Sequence, residues 1–528
     1  MIISYHECEN EIKRTKMAKL LKFLMSRVAI VGILIAAELA LVAVINVLFY
    51  DHFSIYYYIT LIIDVVLVFR IVSKRDNPSY KIAWIILIFL FPAFGAAMYL
   101  IFSGNQLTER QKKKLAGMFS TMKFLLPEHT LSSDELFDDS CAKKQSDYIT
   151  NTAYCPPFDA TECKYLATGE EFFECLCEHL RKAEKFIFLE YFIIDKGQMW
   201  DTIHGILVEK ARSGVEVRII YDDMGCINHL DTGFNRYLEK EGIKCRVFNR
   251  FIPILSARLN NRNHRKICVI DGVCGFTGGI NIADEYINVK SPFGHWKDNA
   301  VMLYGKGVWS LSMMFLSMWE NLDLKNKCDL AEYEKYFPSE FNFSVNEDGI
   351  VQPFTDNPLD DHAVGENIYL NIIYSAKDYV YITTPYLILD YNLEEALCNA
   401  AKSGVDVRMV VPGIPDKKLV YEATRSNYGK LLDAGVRIYE YTPGFIHAKT
   451  FLSDNEYGTV GTVNLDFRSL YLHFECGVWM YRTNALQDIK NDFENLFEVS
   501  SEVDEDSANA GIFKRALRSV LDVMAPLI

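Results

Sequence analysis

Two stretches of this 528-residue chain carry a histidine, a lysine and an aspartate at one spacing. In NHRKICVIDGVCGFTGGINIADEY, residues 263–286, the residues His264, Lys266 and Asp271 fall in the pattern H-x-K-x4-D, with Gly278, Gly279 and Asn281 behind them. In HAKTFLSDNEYGTVGTVNLD, residues 447–466, the pattern returns as His447, Lys449 and Asp454, followed by Gly461 and Asn464. The step from His to Asn is 17 residues in both. A lone His-x-Lys reads as a solvated strand edge. A second copy with its Asn in register reads as a site used twice.

The residue types indicate the chemistry. ICVI and TFL are apolar and β-prone, which places each motif on a strand. Residues two apart on a strand face one side. His264 therefore projects with Lys266, and His447 with Lys449. An imidazole beside an ammonium suits an anionic phosphate: the lysine neutralises charge while the histidine attacks or moves a proton. Asp271 and Asp454 close the strands, where a carboxylate can hold a turn or a nearby lysine.

The elements that position these residues are themselves duplicated. From about residue 163 the chain alternates strand and helix patterns. KARSGVEVRIIYD from Lys210 matches AAKSGVDVRMVVP from Ala400. EKFIFLEYFII from Glu184 echoes KDYVYITTPYLIL from Lys377, and KEGIKCRVF echoes LDAGVRIYE. The offset stays near about 190 residues, which marks an internal duplication and not a short solenoid repeat. The alternation predicts an α/β fold with a mixed sheet flanked by helices in each half.

These motifs resemble the paired HKD motifs of the phospholipase D superfamily. NHRKICVIDG with GFTGGINIADEY, and the second motif with GTVNLDFRS and HFE, resemble its bacterial cardiolipin synthase branch. The resemblance implies two lobes packed with pseudo-two-fold symmetry and a site between them. It implies that Asp298 in HWKDNAV and Glu475 in HFECGV, 34 and 28 residues after the histidines, orient the imidazoles. It implies that Asn281 and Asn464 donate to phosphate oxygens. The activity implied is phosphatidyl transfer in a membrane: two phosphatidylglycerol molecules give cardiolipin and glycerol through a phosphohistidine. His264 is expected as nucleophile and His447 as acid and base, with no cofactor and no metal. Two alternatives stand beside this one: hydrolysis of the phospholipid by water, and a non-catalytic membrane scaffold.

Composition narrows the classes further. The net charge of −14 disfavours a nucleic-acid surface. Half of the residues are apolar, high for a soluble enzyme. Thirteen cysteines show no C-x-x-C and no metal-ligand spacing. They read as reduced core residues in a cytoplasmic setting.

The amino-terminal end reads as a membrane anchor. Lys13, Arg14, Lys16, Lys19, Lys22 and Arg27 precede an apolar run at residues 28–49, interrupted only by Glu38 and Asn46. A second run, residues 55–72, contains Asp64 and Arg70; a third, residues 82–102, contains Pro92 and Gly95. Each approaches the length of a span. No cleavage site follows the first, so an anchor is expected. DNPSYKIAWIILIFLFPAFGAAMYLIF resembles the membrane segment of cardiolipin synthases. Basic clusters on both sides of the third run conflict with three full spans under the positive-inside rule. One run, that with Pro92, is then re-entrant or interfacial. The expected location is the cell membrane, multi-pass, with the catalytic body on the cytoplasmic side.

The expected organisation is a membrane-anchoring segment at 1–104 with two to three spans and a linker at 105–150. A first lobe at 151–325, a connector at 326–361 and a second lobe at 362–528 follow. The second lobe ends in an amphipathic helix. That helix places Ile512, Phe513, Ala516, Leu517, Val520, Leu521 and Met524 on one face, with Lys514, Arg515 and Arg518 opposite. It either lies on a membrane surface or packs on the body.

Overall fold

The computed structural model describes residue 40 and residues 53–74, 77–102, 109–126, 133–250, 261–323, 330–337, 349–360, 362–504 and 512–527. The first apolar run, apart from residue 40, lies outside the described residues. The chain divides into two compact units. The described helices of one fall between residues 53 and 102, and the described residues of the other run from 109 to 525.

Three helices of the smaller unit fall in its longer described stretches, residues 53–74 and 77–102. Phe53–Ser73 contains Ile55–Ser73, at 19 residues the one helix among those described that is long and apolar enough to cross a membrane. The third run does not form a span. It breaks into Pro78–Leu90 and Pro92–Phe102, of 13 and 11 residues, each too short to cross the hydrocarbon. Pro92 has no N–H to continue the first helix and a φ suited to starting the next. Gly95 lets the two backbones meet: a Cβ there would stand 2.6 Å from Ile88 Cα. Leu67, Ile71, Trp84, Ile88, Ala96 and Tyr99 form this unit's core.

The larger unit is built twice over. A seven-stranded sheet comprises β1 (Thr161–Leu166), β2 (Phe186–Tyr191), β3 (Glu216–Asp222), β4 (Lys244–Phe248), β6 (Lys266–Ile270), β7 (Cys274–Gly278) and β9 (Ala300–Gly305). Its order is β1-β9-β7-β6-β2-β3-β4. The second sheet comprises β10 (Ile350–Asp356), β11 (Tyr379–Thr383), β12 (Asp406–Pro412), β13 (Arg437–Tyr441), β15 (Thr450–Ser453), β16 (Tyr457–Gly461), β17 (His473–Tyr481) and β18 (Ser500–Glu502). Its order, β10-β17-β16-β15-β11-β12-β13-β18, repeats the first and adds β18 at the edge. In each sheet three strands run parallel, β2-β3-β4 and β11-β12-β13, and the rest pair antiparallel. Three short strands remain: β5 (Arg262–Asn263), β8 (His295–Lys297) and β14 (Gly444–Ile446).

The apolar runs explain the layers. FIFLEY of β2 is buried throughout, as expected of a strand covered on both faces. Helix Val308–Leu322 is apolar on nearly every side and buried along its length. It packs against β2, β6, β7 and β9 of one sheet and β10 of the other. One core therefore runs continuously from Phe186, Val269 and Val301 to Val351, Phe354 and Val380. The described cysteines are free thiols, all buried except Cys141 and Cys175.

Three expectations from the sequence are corrected here. The described part of residues 105–150 is packed structure and not a linker: helix Glu109–Phe124 buries Met118, Thr121 and Met122 against Val308–Leu322, and Leu125 O accepts from Trp309 Nε1 at 2.8 Å. The connector at 326–361 does not end at 361, because β10 is an edge strand of the second sheet, paired with β17 from Ile350 to Asp356. In the last helix, Ile512–Met524, Arg518 does not face away from the body. It is buried in an ion pair with Glu422, 3.0 Å from Oε2.

Candidate active site

β5 and β14 explain how the halves meet. β5 pairs parallel with the start of β17, and β14 pairs parallel with β8. Each motif histidine thus leaves a short strand that is hydrogen-bonded to the other half. His264 N donates to Phe474 O at 2.9 Å, and His447 N donates to Lys297 O at 2.7 Å.

The next residue on each partner strand is the acid. Glu475 Oε2 lies 2.9 Å from His264 Nδ1, and Asp298 Oδ2 lies 2.7 Å from His447 Nδ1. Counted along the sequence, each acid follows the histidine of its own half; in the fold the pairs are exchanged. Both acids are fully buried, and both histidines nearly so. A carboxylate on Nδ1 fixes the tautomer and leaves Nε2 as the working nitrogen.

The lysines lie beneath. Lys266 Nζ donates to His264 O at 2.6 Å, and Lys449 Nζ donates to His447 O and stands 2.9 Å from His447 Nδ1. Burial drags Lys266 down to about 8 and Lys449 down to about 7. Burial also pulls both imidazoles well below the usual histidine range, aided by the lysines and opposed by the carboxylates. Glu475 and Asp298 are pushed up by burial, yet the facing imidazoles more than offset this and hold them ionised. A cavity with neutral imidazoles and loosely held ammonium protons is poised for an anion, whose charge would draw protons back onto both.

The asparagines differ. Asn281 is fixed: its Oδ1 accepts from Ile193 N at 3.0 Å, and its Nδ2 donates to Tyr286 OH at 2.7 Å. Tyr286 in turn packs edge-to-face on His447, with ring centroids 5.5 Å apart. Asn464 is buried, and its Oδ1 has no hydrogen-bond partner among the described residues.

Asp271 and Asp454, grouped with the reacting residues by their motif, do other work. Each sits at positive φ, 54° in both, in the tight turn at the far end of its strand. Asp271 accepts from the backbone N–H groups of Glu184, Lys185 and Phe186, at 2.7–2.8 Å. Asp454 accepts from Lys377, Asp378 and Tyr379 at 2.8–3.0 Å. They tie the motif hairpin to the start of the central strand.

Four residues break the pseudo-symmetry, and two of them, His473 and Trp296, were missed by the sequence reading. His473, two before Glu475, packs on His264 with ring centroids 5.6 Å apart and sets its Nδ1 3.5 Å from Glu475 Oε1. At the matching place before Asp298 stands Trp296, 5.5 Å from the His447 ring. Thr462 donates its hydroxyl to Glu475. Its counterpart Gly279 leaves room for Asp298: a Cβ there would lie 2.1 Å from Oδ1. Gly279 and Thr462 each stand 15 residues after their motif histidine, and Trp296 and His473 each stand two before their acid, which is the signal that exposes both differences. His264, His473 and Glu475 also form the grouping among the described residues whose ligand atoms, within 4.8 Å, could hold a metal ion. The two buried ammonium groups beside it favour anions instead.

Comparison with known proteins agrees with this geometry. The family model "Cardiolipin synthase, PLD-like domain" matches residues 176–319 and 369–497, one segment on each sheet and each with its motif histidine. A second model, "Phospholipase_D-nuclease N-terminal", matches residues 62–104. A cardiolipin synthase of Geobacillus sp. (strain WCH70) is 34% identical over 88% of this chain and 92% of its own length. An uncharacterized protein of Streptococcus mutans is 42% identical over 86% of this chain and 98% of its own. Among solved structures, phosphatidylserine synthase of Haemophilus influenzae Rd KW20 shares the fold at TM-score 0.55 and 14% identity, covering 73% of this chain and 97% of that one. The amino-terminal match and the apolar helix Ile55–Ser73 mark a membrane-associated protein. Both motif histidines and the strands β2 to β9 and β11 to β17 fall inside the matched segments, and the chain belongs to the phospholipase D-like cardiolipin synthase family.

Proposed function

We propose that the protein is a membrane phosphatidyltransferase that converts two phosphatidylglycerol molecules into cardiolipin and glycerol. The observation that carries this is the crossed pair of His–carboxylate dyads, each above a buried lysine, in a chain of this family. His264 Nε2 attacks the phosphorus, and the bond to the headgroup glycerol breaks. His447 gives that oxygen its proton. The hydroxyl of a second phosphatidylglycerol then loses its proton to His447 and attacks the phosphorus, and the phosphorus–nitrogen bond breaks. Protons and bonds balance over the cycle. Lys266 and Lys449 meet the charge on the equatorial oxygens, and Asn281 and Asn464 position them.

The unequal acids support this division of labour. Glu475 spends its charge on His264, His473 and Thr462. Asp298 serves His447 and the backbone N–H of Asn299. A carboxylate shared among more partners stabilises an imidazolium less. His264 thus keeps its lone pair and His447 takes the proton, although Lys449 beside it opposes this. In this reading the amino-terminal unit anchors the enzyme as a multi-pass segment and the catalytic body faces the cytoplasm.

Purified protein given phosphatidylglycerol alone decides the matter by lipid mass spectrometry. Cardiolipin and glycerol are expected. Phosphatidic acid would instead show hydrolysis, and unchanged lipid a scaffold.

A further inference from the structure

The last helix docks by its edge and leaves most of its apolar stripe bare. Ile512–Met524 packs on helix Lys418–Ser426 through Arg518, Leu521 and the following Ala525, all buried. At 100° per residue, Ala516, Leu517, Val520 and Val523 turn away from that contact. Leu517 is 43% and Val520 59% exposed. The neighbouring helix adds Leu419, 63% exposed, and the loop before it adds Ile414. Exposed cations stand among these residues: Lys417, Lys418, Lys514 and Arg515. Of the acids nearby, Glu422 pairs with Arg518 and Asp416 with Tyr386 and Lys417, and exposed Asp522 lies two residues from Val520 on the opposite side of the helix. In a chain of net charge −14 this is a locally cationic, apolar patch.

Its place in the fold gives it a use. Gly413 N and Ile414 N both donate to Gly444 O, at 3.2 and 3.1 Å. Gly444 opens β14, whose end directly precedes His447. One end of the patch is therefore joined by hydrogen bonds to the strand that carries a reacting histidine.

We propose that the outward face of helix Ile512–Met524, with Ile414, Lys417, Lys418 and Leu419, is a docking surface for an anionic phospholipid bilayer. Apolar side chains flanked by lysine and arginine are the pattern of a helix lying at the interface. Its cations complement the phosphate headgroups of the lipid, each contributing on the order of 1 kcal/mol near an anionic surface. The surface holds the β14 side of the site against the leaflet that supplies substrate. This rests on the phosphatidyltransferase reading for its purpose, but not for its measurement.

The test uses the full chain in nanodiscs with a photoreactive benzoylphenylalanine in place of Val520, or of Leu419, and at Lys240 in the first half as control. After irradiation, intact-mass spectrometry is expected to show one phospholipid added at positions 520 and 419 and none at 240. Replacing phosphatidylglycerol by phosphatidylcholine is expected to cut the yield several-fold. A protein–protein dimer at 520 would assign the face to a second copy. Loss of lipid adducts at both positions, or equal adducts at 240, would equally overturn the proposal. Crosslinking needs no turnover, so His264→Ala is expected to give the same adducts. Failure of the lipid-conversion assay is therefore separable from failure of docking.

Discussion

A buried ammonium is easily disarmed, and this site depends on two. Lys449 and Lys266 are dragged down by burial to about 7 and about 8. In the free enzyme Lys449 is half-deprotonated near neutrality and Lys266 about one pH unit above it. The value of kcat/KM is therefore expected to fall as pH rises through 7 to 8, because the oxygens of the transition state lose their counter-charge. Stability runs the other way. Between roughly pH 7 and 10 the unfolded lysines hold more protons than the folded ones, so unfolding becomes less favourable as pH rises. Alkaline loss of activity with a rising Tm is thus the signature of the lysines and not of denaturation. Lys449→Arg should move the limb to higher pH, since guanidinium stays charged, at about a tenfold lower maximum because its planar fork fits a site built for a point charge poorly. A wild-type profile that stays flat from about pH 6.5 to 9 would remove the lysines from the mechanism.

At the scale of elements, the aspartate of each motif belongs to a hairpin. Asp271 turns β6 into β7 and accepts three backbone N–H groups at the head of β2. Asp271→Ala should cost about 2–4 kcal/mol of stability, the range for a carboxylate with several charge-assisted hydrogen bonds. The folded fraction should keep kcat within about threefold. Chemical unfolding beside active-site titration measures both; a normal Tm with lost turnover would return Asp271 to the chemistry. This also shows what could be read beforehand. His264, Lys266 and their copies stood out because the same residue types recur at the same spacing in both halves, although His264, His447 and Lys449 lie just before the strands expected to carry them. Helix Glu109–Phe124 did not: it opens on ERQKKK, and the buried stripe among its described side chains is Met118, Thr121 and Met122. β10 was hidden by Pro353, which interrupts a strand pattern yet is tolerated here because β10 lies at the edge of its sheet. The third apolar run was long enough by count, and only Pro92 marked where two short helices would form.

At the scale of the whole molecule, duplication does more than double a motif. Sequence intervals join Asp298 to His264 and Glu475 to His447. Pairing of β5 with β17, and of β8 with β14, reverses both attachments. Neither half then contains a complete dyad, and each acid should share the phenotype of the histidine in the other half. Glu475→Gln should resemble a damaged nucleophile, because amide replaces the carboxylate that holds the His264 tautomer. Phosphatidyl adduct formation should slow by about 10²–10⁴, the range for removing an orienting carboxylate, and by the same factor for glycerol and p-nitrophenol leaving groups. Asp298→Asn should resemble a damaged acid. It should slow displacement of glycerol by a similar factor but spare p-nitrophenol, which departs without a proton. Rapid-quench trapping of radiolabelled phosphatidyl at high pH, where phosphohistidine survives, reads both. If Glu475→Gln spares p-nitrophenol and Asp298→Asn does not, His447 is the nucleophile and the crossed pairing stands with its roles exchanged. If both variants slow both leaving groups alike, the two dyads share one function and the division of labour argued from His473, Thr462 and Asn299 is wrong.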